Sequence, residues 1–455
     1  MSTNWEENEV RTTDFNTVDV GEDLMQVMPL EVEEGLELYG EDADVNEIEI
    51  QDDDDERIDI HLGVVISPDE YTPENIEILR NNLISKRNVK FCAEQFDGRV
   101  VNYNIVGVDV MPDAVTALLD EAIDDNSKLN KNVYVNSVNI VIDIGFGTTD
   151  MASIQGFDII SDSERQFNIG TNDAFSDIAQ EVEKRYNCGY IETSLISNVV
   201  RSPLGVCNTC GAISSASKVC NCGDTFEMKR NMIKIGQKVF DISDIVNAVF
   251  NDKTDNLSSL FKRYLDTLCK VRGINQSSLD TILLVGGGSE LFGSMLKEKI
   301  AGYVGDYVEI KKPNKAVWKS VNGLCKYVML KKSKSKKNFK YYAFVDVGNY
   351  ATKAKFVDLN GDELGKPVEL LTKIAAPVKQ STISLRKIHP MMDLHLNIGS
   401  EDDEIRFGDG NYFVSLLASK GKNLKMRNAL IPKPTDELVY VMINAAIGVL
   451  LARYK

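Results

Sequence analysis

Two stretches of this chain share one design, and the repetition constrains the fold more than any other feature. VIDIGFGTTD (141–150) and FVDVGNYATK (344–353) each run an apolar strand into an aspartate, a glycine-containing turn and a return strand with small hydroxyl residues. Each reads as a β-hairpin whose glycines let the backbone bend sharply and approach a ligand with no Cβ in the way. Successive N–H groups of such a turn form a cradle for anionic oxygens. Gly145 and Gly147 supply the first turn, followed by Thr148 and Thr149; Gly348 and Asn349 supply the second, followed by Thr352 and Lys353. The threonines offer hydroxyl donors, and Lys353 a point charge for phosphate. Asp143 and Asp346, at the strand ends, would repel phosphate directly, so they make sense with a hydrated Mg²⁺ between. A single hairpin of this kind is as readily structural; two make a paired phosphate clamp the better reading.

LLVGGGSEL (283–291) adds a third element: Gly286, Gly287 and Gly288 lie between an apolar strand and a helix that opens at Ser289. Three glycines there allow a flat ligand such as a nucleoside to rest against the backbone at a helix N-terminus. The spacing departs from G-x-G-x-x-G, and no P-loop pattern occurs in the chain.

Charge divides the chain. Residues 1–56 hold 21 Asp and Glu against Arg11 alone, about −20 of the total −18, so the remainder carries about +2. The first 56 residues read as an acidic, disordered tail with a short apolar piece at LMQVMPL (24–30). A nucleic-acid-binding domain would need a basic face, which the remainder lacks. The acidic N-terminus has no secretory signal, and the apolar run near 439–450 is too short to span a bilayer and contains Asn444, so it reads as a buried helix. The expectation from these features is a cytoplasmic chain without a membrane partner. KKSKSKKNFK (331–340), six Lys in ten residues with no apolar face, reads as a solvated linker.

Eight cysteines without a signal point to a reducing compartment. Cys207, Cys210, Cys220 and Cys222 form C-x₂-C-x₉-C-x-C, a candidate structural Zn²⁺ site whose second pair is tighter than usual. Cys92, Cys188, Cys269 and Cys325 read as small core residues.

The two hairpins, the late GGG turn, NIGTNDAFSDIAQ (168–180), VDVMPDAV (108–115) and VNGLCKYV (321–328) resemble the actin, heat-shock chaperone and sugar-kinase superfamily. Within it they resemble the ParM-like bacterial actins, ATPases that segregate plasmids. The resemblance covers residues 57–455 and implies an α/β, actin-like fold with two RNase H-like domains around a nucleotide cleft. In that family the first phosphate hairpin opens the chain and the VNG-containing helix comes near its end. Here that helix leads through 331–340 into FVDVGNYATK, so the chain reads as circularly permuted. The expected division is an acidic tail at 1–56, domain I at 57–142 plus 339–455, domain II at 143–330 with a cysteine insert at 205–224, and a linker at 331–340.

The resemblance implies ATP or ADP with Mg²⁺. Asp143 and Asp346 would hold the hydrated ion and Lys353 would contact the β- and γ-phosphates. Gly145, Gly147, Thr148 and Thr149 would close one clamp; Gly348, Asn349 and Thr352 the other. Gly286, Gly287, Gly288 and Ser289 would face the adenosine, with Gly170 opening a loop near the ribose. Asp113, where relatives carry Glu or Gln, would orient the attacking water; a helix N-cap is its alternative reading. The implied function is ATP hydrolysis coupled to filament assembly, with a DNA-binding adaptor protein at a plasmid site and no direct nucleic-acid contact. Alternatives are a small-molecule kinase of the same superfamily or a non-polymerising, nucleotide-dependent scaffold.

Overall fold

Both hairpins form where alternation and turn glycines place them. Val138–Ile144 pairs antiparallel with Thr149–Gln155, and Tyr341–Val347 with Ala351–Asp358. Each leading strand has a parallel neighbour on its other side: Leu279–Val285 beside the first, and Ile58–Ile66 beside the second. A further parallel strand follows each time, Glu309–Lys311 and Val100–Pro112 respectively. Strands in such positions are covered on both faces, which is why VNIVIDI, TILLV and YYAFV are near-continuous apolar runs instead of alternating ones. The same arrangement therefore occurs twice, in the two largest sheets of a mixed α/β chain, as the expected fold class requires.

The computed structural model describes residues 57–92, 98–124, 128–129, 134, 137–207, 209–210, 213–214, 222–223, 225–236, 238–332, 339–376, 393–400, 406, 408–415, 418, 422–427 and 431–454. The acidic segment 1–56, the centre of the lysine run (333–338), Asp97, Cys220 and His389 lie outside the described residues.

Among the described residues the first sheet has ten strands, extending from Val100–Pro112 through Lys86–Phe91, Asp393–Ser400, Gly410–Ser415 and Lys373–Ala376 to Lys422–Met426. The helix Glu437–Tyr454 packs on this sheet, with every residue from Leu438 to Ala452 buried. By length and composition it could cross a bilayer, and it is longer than the apolar run suggested. Its polar Asn444 is buried but satisfied, accepting from Tyr103 Oη at 2.6 Å and donating to the Tyr440 carbonyl at 2.8 Å. The second sheet is covered by Thr171–Tyr186, Ser243–Lys270 and Gly287–Ala301.

Two helices connect the sheets. Asp113–Ala122 begins at the end of a first-sheet strand and packs on the second sheet through Leu118, Val141 and Leu283. Lys319–Lys332 runs the other way, packing through Val321, Leu324 and Val328 onto Val65 and Phe344 of the first. They touch at Gly323, where a Cβ would sit 1.6 Å from the Thr116 carbonyl oxygen. An ion network joins them: Lys319 and Lys326 each lie 2.8 Å from the buried Asp120 carboxylate. Two expected boundaries shift as a result. The 142/143 division falls inside a strand that belongs wholly to the second sheet, and Lys319–Lys332 packs on the first.

Candidate functional site

Strand geometry aims the central side chains. Asp143 and Asp346 are the penultimate residues of their strands, the positions from which a side chain emerges at the sheet edge just before the turn. Both line one cleft between the sheets, together with Asp113, Gly145, Thr148, Gly286, Gly287, Gly348, Asn349 and Lys353. Positions more than two hundred residues apart are thus brought together. Across this cleft the hairpin tips meet: the Phe146 and Tyr350 rings lie 4.7 Å apart by centroid, and a Cβ on Gly147 would be 3.6 Å from Asn349 Nδ2.

Gly286 is required where it stands. Its φ is +81°, and a Cβ there would lie 2.1 Å from Asp143 Oδ1. The glycine run thereby lets the strand–helix turn close directly on the aspartate of the neighbouring hairpin. Gly287 and Gly288 belong to the first turn of the helix, which starts two residues earlier than the sequence suggested.

Several expected contacts are made elsewhere. Thr149 Oγ1 donates to the Ile169 carbonyl at 2.7 Å, and the Thr352 and Thr372 hydroxyls pair at 3.1 Å in the interior. Both threonines point to the inner side of their strands because alternation puts them opposite the cleft-facing neighbours. Thr148 lines the cleft, with its hydroxyl donating to Asp150 at 3.1 Å. Gly288 is a packing glycine: a Cβ would fall 2.3 Å from Ile144 Cγ2. The Ser289 hydroxyl donates to the Gly286 carbonyl at 2.8 Å. Gly170 caps the helix Thr171–Tyr186 and abuts the first turn, since a Cβ there would meet the Phe146 carbonyl at 2.3 Å. It supports the hairpin from behind and does not line the cleft.

Asp113 is the first helical residue and Pro112 is the N-cap; no side-chain cap bond forms from Pro112, and Asp113 Oδ1 accepts from the N–H of Ala114 at 2.6 Å. Its carboxyl faces the cleft and is raised well above the usual carboxylate range, first by loss of water and then by Asp143 and Asp150. Desolvation also pushes Asp143 up to about 6, with Lys353 and Lys433 opposing and Asp346 adding. Asp150 is pushed up to about 7 by desolvation first and Asp143 second.

Sequence reading missed six charged groups that line the site: Glu70, Asp150, Arg201, Glu369, Arg427 and Lys433. Lys433, 9% exposed, donates to the Val65 carbonyl at 3.0 Å and lies 3.7 Å from Asp346 Oδ1; Lys353 is 3.7 Å from Oδ2. Asp346 thus stands between two lysines. Glu70 accepts from the Lys433 N–H at 3.0 Å and neighbours Arg427, while the Arg201 guanidinium reaches over the rings of Phe175 and Tyr350. The signal for Lys433 was its place between Pro432 and Pro434 at the opening of the most apolar helix.

The described cleft lining carries six carboxylates (Glu70, Asp113, Asp143, Asp150, Asp346, Glu369) and four cations (Arg201, Lys353, Arg427, Lys433). Carboxylates crowded enough to resist ionisation fit a divalent cation with oxygen ligands. Two lining atoms, Glu70 Oε2 and Thr171 Oγ1, are buried with no hydrogen-bond partner among the described residues, which fits a polar ligand. Lysines, a Cβ-free turn and an acidic cation site in one cleft can hold a polyphosphate with its metal.

No protein-family model matches this chain, and no curated protein matches it. Among solved structures it is similar to native Ta0583, an archaeal actin homologue, at 17% identity over 59% of this chain and 69% of that one, with a TM-score of 0.42. It is also similar to apo psk41 ParM (17% identity, 62% and 66% coverage, TM-score 0.40) and to a 15-stranded ParM filament from Clostridium botulinum (12%, 58% and 65%, 0.40). At these scores, the cleft's own geometry has to decide function.

Proposed function

We propose that this chain is an actin-like protein that binds ATP with Mg²⁺ between its two hairpins, hydrolyses it to ADP and phosphate, and assembles with copies of itself into filaments. The observation that carries the reading is the convergence of Asp143, Asp346 and Lys353 on one cleft from two hairpins of the same design. In this reading Asp143 and Asp346 hold hydrated Mg²⁺, which when bound neutralises charge on the transferring phosphoryl group. Lys353 and Lys433 flank Asp346, and in this reading both contact phosphate oxygens. The turn backbones at Gly145 and Gly348 cradle the phosphates, and the Gly286–Gly287 turn faces the nucleoside. Asp113 orients the attacking water. In this reading the chain's contribution is positioning and charge.

The order of parts supports circular permutation. In the second sheet the hairpin precedes its parallel neighbours, whereas in the first the neighbours at 58–66 and 100–112 precede the hairpin at 341–358. Joining the family's usual ends through 331–340 produces that inversion. The cellular role we infer is plasmid segregation in the cytoplasm, through a DNA-binding adaptor protein.

Phosphate release, light scattering and negative-stain microscopy with and without ATP test the reading together. The expected result is acceptor-independent hydrolysis with filaments that depend on ATP. ADP formed only when a small-molecule hydroxyl acceptor is added, with the phosphoryl group recovered on that acceptor and neither phosphate release nor assembly, would establish the kinase alternative instead.

A further inference from the structure

The cysteine insert takes no part in the cleft, yet it has a built arrangement of its own. Cys207 ends the strand Leu204–Cys207, the centre of a three-stranded sheet with Phe226–Lys229 and Ile213–Ser214. The Sγ atoms of Cys207, Cys210 and Cys222 all lie within 4.8 Å of one another, and those of Cys207 and Cys222 are 3.5 Å apart. Cys207 is buried, while Cys210 and Cys222 are exposed. The Cys207 sulfur accepts from the backbone N–H groups of Cys210 and Thr209, the turn geometry by which a Cys-x-x-Cys pair presents two sulfurs to one point.

From this geometry we propose that Cys207, Cys210 and Cys222 bind one Zn²⁺ ion as a structural thiolate site. A Zn–S bond of about 2.3 Å in a tetrahedron places its sulfurs ~3.8 Å apart, so the observed spacing needs only small adjustment. A disulfide needs sulfurs about 2.0 Å apart, well inside the 3.5 Å seen here. Thiolates select soft or borderline ions, which excludes the Mg²⁺ that suits the carboxylate cleft.

The surroundings explain what the ion does. No described residue of the three strands joins a hydrophobic cluster of the molecule, and Met228 is 57% exposed. Among its described residues only Val206 and Cys207 are buried apolar side chains, so this small sheet gains from another source of order. The ion ties the turn after Cys207 to the turn at Cys222-Gly223, where the chain re-enters the sheet at Phe226 opposite Cys207. A fourth coordination position is left for a ligand beyond these three.

Metal analysis of the full chain, produced with zinc and purified under reducing conditions without chelator, tests the site. The expected content is about one zinc per chain, falling at least fivefold in Cys210→Ser and in Cys222→Ser and unchanged in Cys92→Ser. Circular dichroism of each variant checks that the main fold survives, and the two exposed cysteines are used because their replacement leaves the interior intact. In the wild type, a mercurial reagent read with a chromogenic chelator should release the same one equivalent. Less than about a fifth of an equivalent with no uptake on zinc titration, zinc retained in both variants, or a Cys207–Cys222 disulfide in the reduced preparation would each overturn the proposal.

Discussion

Asp113 and Asp150 occupy the same cleft but lend themselves to different tests. Asp113 sits at the helix start with its carboxyl toward the cavity and is assigned to the attacking water. Asp113→Ala should leave ATP binding intact and slow phosphate release at least tenfold, about 1.4 kcal/mol of barrier; unchanged turnover removes it from the mechanism. Asp150 is held up at about 7, above its unfolded value. Its ionisation therefore opposes folding: the penalty is absent below about pH 4, grows between there and 7, and is complete above. Without metal or nucleotide, Asp150→Asn should gain stability relative to wild type between pH 5.5 and 8.0, by more than about 1 kcal/mol. Equal shifts at both pH values in thermal melts would contradict this. Asp143, Asp346 and Lys353 were legible because each stands within a local strand–turn pattern. Lys433, Glu70 and Arg427 were not, because what makes them part of the site is their approach to Asp346 and to one another across the fold. Thr149 and Thr352 misled for the converse reason: their residue type suits phosphate, but strand alternation turns them inward.

Secondary structure was easier to read than packing. At Thr72–Pro73 a capping hydroxyl precedes a proline at the first helical position, and the Thr72 hydroxyl accepts from the N–H of Asn75. The helix Ser243–Lys270 buries Val246, Phe250, Leu257, Phe261, Leu265 and Leu268, an apolar stripe at helical spacing. Which sheet a helix serves was not legible, because an amphipathic stripe does not say what it faces. The crossing of Asp113–Ala122 and Lys319–Lys332 is the clearest instance, and it is where the two halves of the cleft are joined. Gly323→Ala should cost more than about 2 kcal/mol despite the better helix propensity of alanine, because rigid backbone meets the new methyl. Gly293→Ala is the control: its Cβ would meet Lys312 Cδ at 3.1 Å and Ser289 Cβ at 3.2 Å, tight contacts with side chains and not with backbone, and the substitution should cost less than Gly323→Ala by at least about 1 kcal/mol. Similar denaturation midpoints for the two variants would contradict the close helix contact.

At the scale of the whole molecule the charge is segregated, with about −20 in residues 1–56 and about +2 in the rest. Screening confines surface electrostatics to about 8 Å at physiological salt, so an acidic segment acts on neighbours it nearly touches. If assembly occurs as proposed, deleting residues 1–56 should widen bundles in negative stain, most visibly at low salt; identical assemblies at both ionic strengths would dismiss that role. The relation between the two hairpins is also a whole-molecule property, and it bears most on function. A double-mutant cycle measures it directly: calorimetric binding of a non-hydrolysable ATP analogue with Mg²⁺ to wild type, Asp143→Ala, Asp346→Ala and the double variant. Two carboxylates serving one ion should each lose at least tenfold in affinity when removed, with the double variant little worse than the weaker single one. Losses that simply add, or a single variant that binds like wild type, would mean that the hairpins do not share one metal-bound triphosphate.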